Sequence, residues 1–384
     1  MMRTLFVLFA FSLLIGTISA QNSDELLKKL VEKNILTQSE ANELKSSAKE
    51  EKKSSAAGQT VGKVRDFFNS PYFQLSGNGQ LMYQYTDVNR IHHNFRAKNL
   101  FLIANGKLND SFRYGFNIEL VNPSVQEFWG EWTAAKEFNL KVGQFKSPFT
   151  MENQLVPATL ETVSYSRTIS NLVGYAGEDD VMRSQNGKNN FGRDAGIMAS
   201  GELIPMATHN FIQYSAGMFQ GTGVTTNETN NGKDFAGMLL LQPVKGLRIG
   251  GGAYLGQATY LKAGDEEISD HVRDRWYLSA NYKSDRFYAR SEWIHGNDGG
   301  IDKEGIYGLG LFYIIPQKLN VLGKVDYYNR NKDINSEVID YTVGLNYYFY
   351  PMCRVQLNYI YSDYSKKWDA PNSNMVFAQL QIAF

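Results

Sequence analysis

The sequence predicts an all-β transmembrane fold: a 16-stranded antiparallel up-and-down β-barrel preceded by a short N-terminal periplasmic helical segment. Three observations predict it. From Phe73 onward, apolar residues recur at every second position, the period of a strand with one greasy face. The links between successive candidate strands alternate between short and long, as in barrels with tight turns at one rim and loops at the other. The last strand keeps its alternation to the end of the chain: Val376, Ala378, Leu380, Ile382 and Phe384 are apolar, with Gln379 and Gln381 between them. Mean hydropathy is −0.36. That is too polar for a helical membrane bundle but suits a barrel, in which half of each strand faces water.

The N-terminal elements come first. Residues 1–20 read as a signal peptide, with Arg3 as the basic start, Leu5 to Ile15 as the apolar stretch and Thr17-Ile18-Ser19-Ala20 as the small-residue cleavage site. The apolar stretch is too short to span a bilayer, and no Cys follows the site to carry a lipid anchor. Residues 21–64 lack aromatics and form a predicted helical or coiled-coil segment with a linker. Ser23 caps a first helix whose apolar face is Leu26, Leu27, Leu30 and Val31, and Thr37-Gln38-Ser39-Glu40 is a capping box for a second.

Residues 65–384 form the predicted barrel. Sixteen candidate strands lie near 73–86, 95–108, 112–120, 125–134, 138–145, 194–202, 211–219, 234–241, 247–255, 274–283, 286–295, 305–314, 319–328, 338–349, 352–364 and 374–384. Most reach the ~9–11 residues that a tilted strand needs to cross a bilayer. The stretch from Thr342 to Ser362 shows the pattern. Val343, Leu345, Tyr347, Phe349, then Val355, Leu357, Tyr359 and Tyr361 are expected to face lipid, and Asn346, Arg354, Gln356 and Asn358 to face the interior. Tyr347 to Tyr350 supply an aromatic girdle beside the turn. Strands near 95–108 and 125–134 have ambiguous parity. Links at 350–352, 315–318, 284–285 and 242–246 are short; those at 365–373, 296–304, 256–273 and 220–233 are longer. An even strand number places both termini on the periplasmic side.

Sixteen strands enclose more volume than side chains fill, so a water channel is expected. By far the longest link runs from Lys146 to Arg193, and its expected role is to fold inward and constrict that channel. It holds the pore candidates Lys146, Glu152, Arg167, Arg183 and Arg193. On the inward face of the wall the candidates are Arg113, Lys141, Arg248, Arg290, Lys324 and Arg354, accompanied by acidic Glu119, Glu292 and Asp326. A ring of cations in a narrow pore favours anions.

Several stretches carry a family resemblance. "VGQFKSPFTMEN" (Val142 to Asn153), "YSRTISN" (Tyr165 to Asn171), "FGRDAGIMASGEL", "GLRIGGGAY", "VGLNYYFYP" and "RVQLNYIYS" resemble, in order and spacing, the phosphate-selective porin O/P family of Gram-negative outer membranes. "NILTQSEANEL" is similar to its N-terminal regions. The resemblance implies a homotrimer of sixteen-stranded barrels in the outer-membrane lipid, each with its own pore. It also implies passage of phosphate or polyphosphate along inward Arg residues and a Lys-bearing loop. This chain departs from that pattern: no Lys stands between Glu152 and Arg167, and Gln154, Leu155 or Val156 fills the matching place. Acidic residues slightly outnumber basic ones in 65–384. The expectation is therefore a porin for small solutes or ions, with anion or phosphate preference as its finer form. The final strand ending at Phe384 resembles the signal read by the barrel insertion machinery.

Other classes fit less well. Formal net charge is +0, which argues against a nucleic-acid partner. His92, His93, His209, His271 and His295 show no triad or metal spacing, so neither an enzyme, a metal nor a cofactor is expected. Cys353 cannot form an intrachain disulfide and reads as a small apolar residue. The alternative is a structural or adhesive outer-membrane barrel without an open pore.

Overall fold

The computed structural model describes residues 69–175, 178–185 and 192–384. The expected signal peptide and helical segment lie outside the described residues. Sixteen long strands appear in chain order: β1 (Phe73–Thr86), β2 (His93–Asn109), β3 (Phe112–Glu119), β4 (Ser124–Ala135), β5 (Phe138–Lys146), β6 (Arg193–Pro205), β7 (Asn210–Phe219), β8 (Asp234–Val244), β9 (Leu247–Leu255), β10 (Ser269–Lys283), β11 (Phe287–Asp298), β12 (Ile301–Ile315), β13 (Leu319–Asn331), β14 (Ser336–Tyr350), β15 (Cys353–Tyr364) and β16 (Ser373–Ala383). Each pairs antiparallel with the next, and β16 pairs with β1 through Gln379↔Met82 and Gln381↔Gln80. The sheet thus closes on itself and leaves no edge among its long strands. A short extra strand, Gln257–Tyr260, extends the wall by pairing with the start of β10.

Alternation decides which face is which. Val343, Phe349, Leu357, Ile306 and Phe312 are exposed, whereas Asn346, Gln356, Asn358 and Arg354 are buried. An apolar outer wall and a polar inner one result, as a bilayer requires. Cross-strand neighbours keep the parity in step: Gly344↔Asn358, Leu345↔Leu357 and Asn346↔Gln356.

Three expectations are corrected. The 296–304 link is not a long loop: β11 and β12 run on to the two-residue turn Gly299–Gly300, whose φ values are 57° and 89°. Positive φ at both positions matches the twist of paired strands and suits glycine, so a Gly- and Asp-rich stretch that reads as loop is a strand end. The girdle at 347–350 is incomplete, because Tyr348 turns inward and its hydroxyl accepts from Arg354 Nη1 at 2.8 Å. The inner wall is also not uniformly polar: Tyr254, Tyr277, Ile294, Tyr307 and Tyr328 are buried among apolar neighbours there.

The two ambiguous strands owe their ambiguity to β-bulges. Between Gln80↔Asn99 and Leu81↔Ala97 the ladder skips Lys98. Between Asn117↔Glu127 and Ile118↔Val125 it skips Gln126. Each bulge places two successive residues on the inner side and reverses the parity beyond it.

Candidate functional site

The described residues of the β5–β6 link include three short helices: α1 (Met151–Gln154), α2 (Arg167–Leu172) and α3 (Asp180–Gln185). None has the length to stand alone in water. Each is held by wall residues of inward parity. The amides of Met151 and Glu152 both donate to the Glu292 carboxylate, the second at 2.7 Å. This places an anion where the first turn leaves its N–H groups free. At the start of α2, Thr168 Oγ1 donates to Asp326 at 2.7 Å. Gly305 makes this approach possible: a Cβ there would lie 2.5 Å from Thr168. Apolar side chains complete the contact. Phe149 packs edge-on against Tyr277, with centroids 5.0 Å apart, and Ile169 and Leu172 join the same buried cluster.

Between α1 and α2 the chain crosses to the opposite wall. Its carbonyls accept from inward amides and one guanidinium: Pro157 from Gln80 at 3.2 Å, Ala158 from Gln381 at 3.0 Å, Leu160 from Arg354 at 2.7 Å and Glu161 from Asn346 at 3.0 Å. The Val163 amide donates to Asn358 at 2.7 Å. Residues without secondary structure of their own are thereby satisfied by the wall.

The candidate cations are mostly engaged. Arg290 binds Glu152 at 3.0 Å and Glu161 at 2.9 Å, and its other donors reach the Tyr307 and Tyr288 hydroxyls. Arg167 pairs with Asp340 at 2.7 Å and Arg193 with Glu127 at 2.6 Å. Arg113 pairs with Glu131 at 2.8 Å; Lys141 lies 3.6 Å from the same carboxylate and over the Trp129 ring. Arg183 pairs with Asp180 at the surface, Arg248 donates to Asn281 at 3.2 Å and Lys146 donates to the carbonyls of Asn153 and Leu155. Lys324 lies 3.5 Å from Ser166 Oγ. So the wall and loop cations are not a bare ladder: five of the ten candidates, Arg113, Lys141, Arg167, Arg193 and Arg290, face a buried or half-buried carboxylate, since an unpaired charge in such a place is costly. Burial opposes ionisation of Glu152, but Arg290, Lys324 and the Ser166 hydrogen bonds outweigh it and hold its carboxyl below its ordinary 4.5. Burial pushes the Tyr165 phenol up to about 12.

The sequence reading missed several members. Arg273, paired with Asp179 at 2.9 Å, stands in the stretch 256–273 read as loop, and Arg275, paired with Asp298 at 2.6 Å, stands at the start of the expected strand 274–283 without having been singled out. The alternation His271, Arg273, Arg275 against Val272 was the available signal. Lys98 was hidden by its bulge. It donates to the Val163 carbonyl and, at 3.4 Å, to Gln379.

Beside the loop a gap of about 260 Å³ remains open. Met82, Gln84, Arg96 and Lys98 line one side, Lys324, Thr342, Ile360 and Phe377 another, and Ser164, Tyr165, Arg167 and Glu178 the loop side. A second cavity of about 470 Å³ opens at the short-turn rim, among Arg113, Glu131, Lys136 and Glu202.

A closed antiparallel barrel of sixteen long strands, apolar outside and crossed within by a loop, is the architecture of a membrane channel of the porin class. The chain belongs to the family of phosphate-selective porins O and P, whose family model matches residues 73–384. It is an outer-membrane channel. The fold is similar to that of Pseudomonas putida OprB (TM-score 0.63, 12% identity, covering 84% of this chain and 97% of that one). It is also similar to an anion-selective porin from Comamonas acidovorans (0.59, 12%, 81% and 99%) and to OmpT of Vibrio cholerae (0.55, 13%, 82% and 99%). No curated protein matches the chain.

Proposed function

We propose that the β5–β6 link, through its residues 147–175, constricts the channel and that small solutes, anions before cations, cross through the gap it leaves against β1, β2 and β13–β16. The observation that carries this is the set of hydrogen bonds joining Pro157, Ala158, Leu160, Glu161 and Val163 to inward residues of β1 and β14–β16. A loop tied at its middle to the far wall stands in the path of diffusion. Anion preference follows from Arg96, Lys98 and Lys324 at the gap. Arg96 is exposed at the gap and, among the described residues, forms no ion pair with a carboxylate, so its charge acts on the solute, with Lys98 and Lys324 beside it. The departure from the family's basic loop argues for weak selectivity. In this reading the protein is a trimer with its short turns toward the periplasm and no catalytic role.

Planar-bilayer recording under a KCl gradient tests it. Steps in threes with a reversal potential displaced toward that of chloride support the reading. Displacement toward potassium overturns the anion preference. A folded barrel without conductance favours the adhesive alternative.

A further inference from the structure

The gap has an apolar strip between two basic flanks. Met82, Ile360 and Phe377, on β1, β15 and β16, stand between Arg96 and Lys98 on β2 and Lys324 on β13, and their apolar surfaces join Val163 of the loop in a cluster of their own. Inorganic phosphate finds donors on the flanks of that strip, such as Gln84, Thr342 and Arg167, but none on the strip itself. A small multivalent anion keeps its hydration unless donors surround it, and a thioether, an aliphatic and an aromatic wall donate nothing. Glu178 also borders the gap and opposes a second negative charge, whereas Asp340 is taken up by Arg167. An anion with one charged end and an apolar body satisfies strip and flank at once. Its charge meets the cations, and its hydrocarbon displaces water from half-buried Ile360 and packs at the edge of Phe377.

Resting on the constriction reading above, we propose that the gap is a subsite for small organic monoanions with an apolar body, such as aromatic carboxylates, and that Phe377 and Ile360 set this preference over inorganic phosphate. The volume of about 260 Å³ is at the low end for ligand pockets and suits a single-ring solute.

The test uses the full mature chain with benzoate, inorganic phosphate and benzyl alcohol as probes. Binding is read by calorimetry in zwitterionic micelles and by block of the bilayer current. Benzoate is expected to bind at least tenfold tighter than phosphate. Phe377→Gln should weaken benzoate at least fivefold and leave phosphate unchanged, and Lys98→Gln should weaken both. Ile360→Thr serves if the Phe377 variant fails to fold. Phosphate binding as tight as benzoate overturns the proposal, as does benzyl alcohol matching benzoate or an unchanged benzoate affinity in both apolar-wall variants. Benzoate binding without conductance keeps the subsite and refutes the pore reading; conductance without benzoate binding does the reverse.

Discussion

Arg290 holds more of the interior together than any other single side chain discussed above, because two loop carboxylates and two wall hydroxyls converge on it. Its inward parity was legible from the alternation Phe287, Ala289, Ser291 against Tyr288, Arg290, Glu292. Its partners were not, because Glu152 and Glu161 arrive from a loop whose path no periodicity encodes. Arg290→Met should leave both carboxylates buried without their cation, at a cost of about 3–5 kcal/mol. The readout is the urea midpoint of the folded barrel, measured by its gel mobility without heating; an unchanged midpoint would remove Arg290 from the clamp. Glu152 adds a pH dependence of defined sign. Its folded carboxyl titrates below its ordinary 4.5, so its ion pair stabilises fully above that pH and is lost as pH falls through the lower folded value. Wild type should therefore exceed Glu152→Gln in stability near neutral pH, and the difference should shrink steadily below pH 4.5. A difference independent of pH would contradict the ion pair.

Strands were legible because one face must meet lipid and the other must not, which writes a period of two into the chain. The pattern fails where local geometry breaks the period. Lys98 and Gln126 are bulged, and the strand end at Asp298 is disguised by turn-forming residues. The helices α1–α3 are too short to write a helical period into the chain, although Thr150 caps α1 and Asp179 caps α3 from within the loop. Parity itself is testable: Leu357→Asp puts a charge on an outward position, whereas Asn358→Asp keeps the oxygen that accepts from Val163. A basic residue at the bilayer midplane costs about 2–4 kcal/mol and an acidic one less. Leu357→Asp should cut the yield of folded barrel in the outer membrane, and Asn358→Asp should assemble normally. Equal assembly would refute the register. Gly305→Val forces a side chain into the space that Thr168 occupies. α2 should lift from the wall, and the expected readout is a raised and noisier single-channel conductance. A quiet, unchanged channel would mean that α2 does not border the pore.

At the scale of the whole molecule the barrel and its interior follow different rules. Closure of sixteen strands is dictated by backbone hydrogen bonding in lipid, where open edges are not tolerated, and it leaves a lumen wider than the wall's side chains fill. The chain fills one side of that lumen with a buried cluster of Phe149, Ile169, Leu172 and inward tyrosines and leaves the other open along Gln84, Arg96 and Thr342. The sequence announced the barrel and the long link, but not which side would stay open, because that depends on contacts between residues distant in the chain. The most direct test is thiol modification of that side during single-channel recording. In a Cys353→Ser background, Gln84→Cys stands in the gap, and Ser279→Cys stands at a buried inward position of β10. A negatively charged methanethiosulfonate should reduce the Gln84→Cys conductance by half or more and leave the Ser279→Cys channel unchanged. No effect at position 84, or a block at position 279, would contradict the placement of the pore beside the loop.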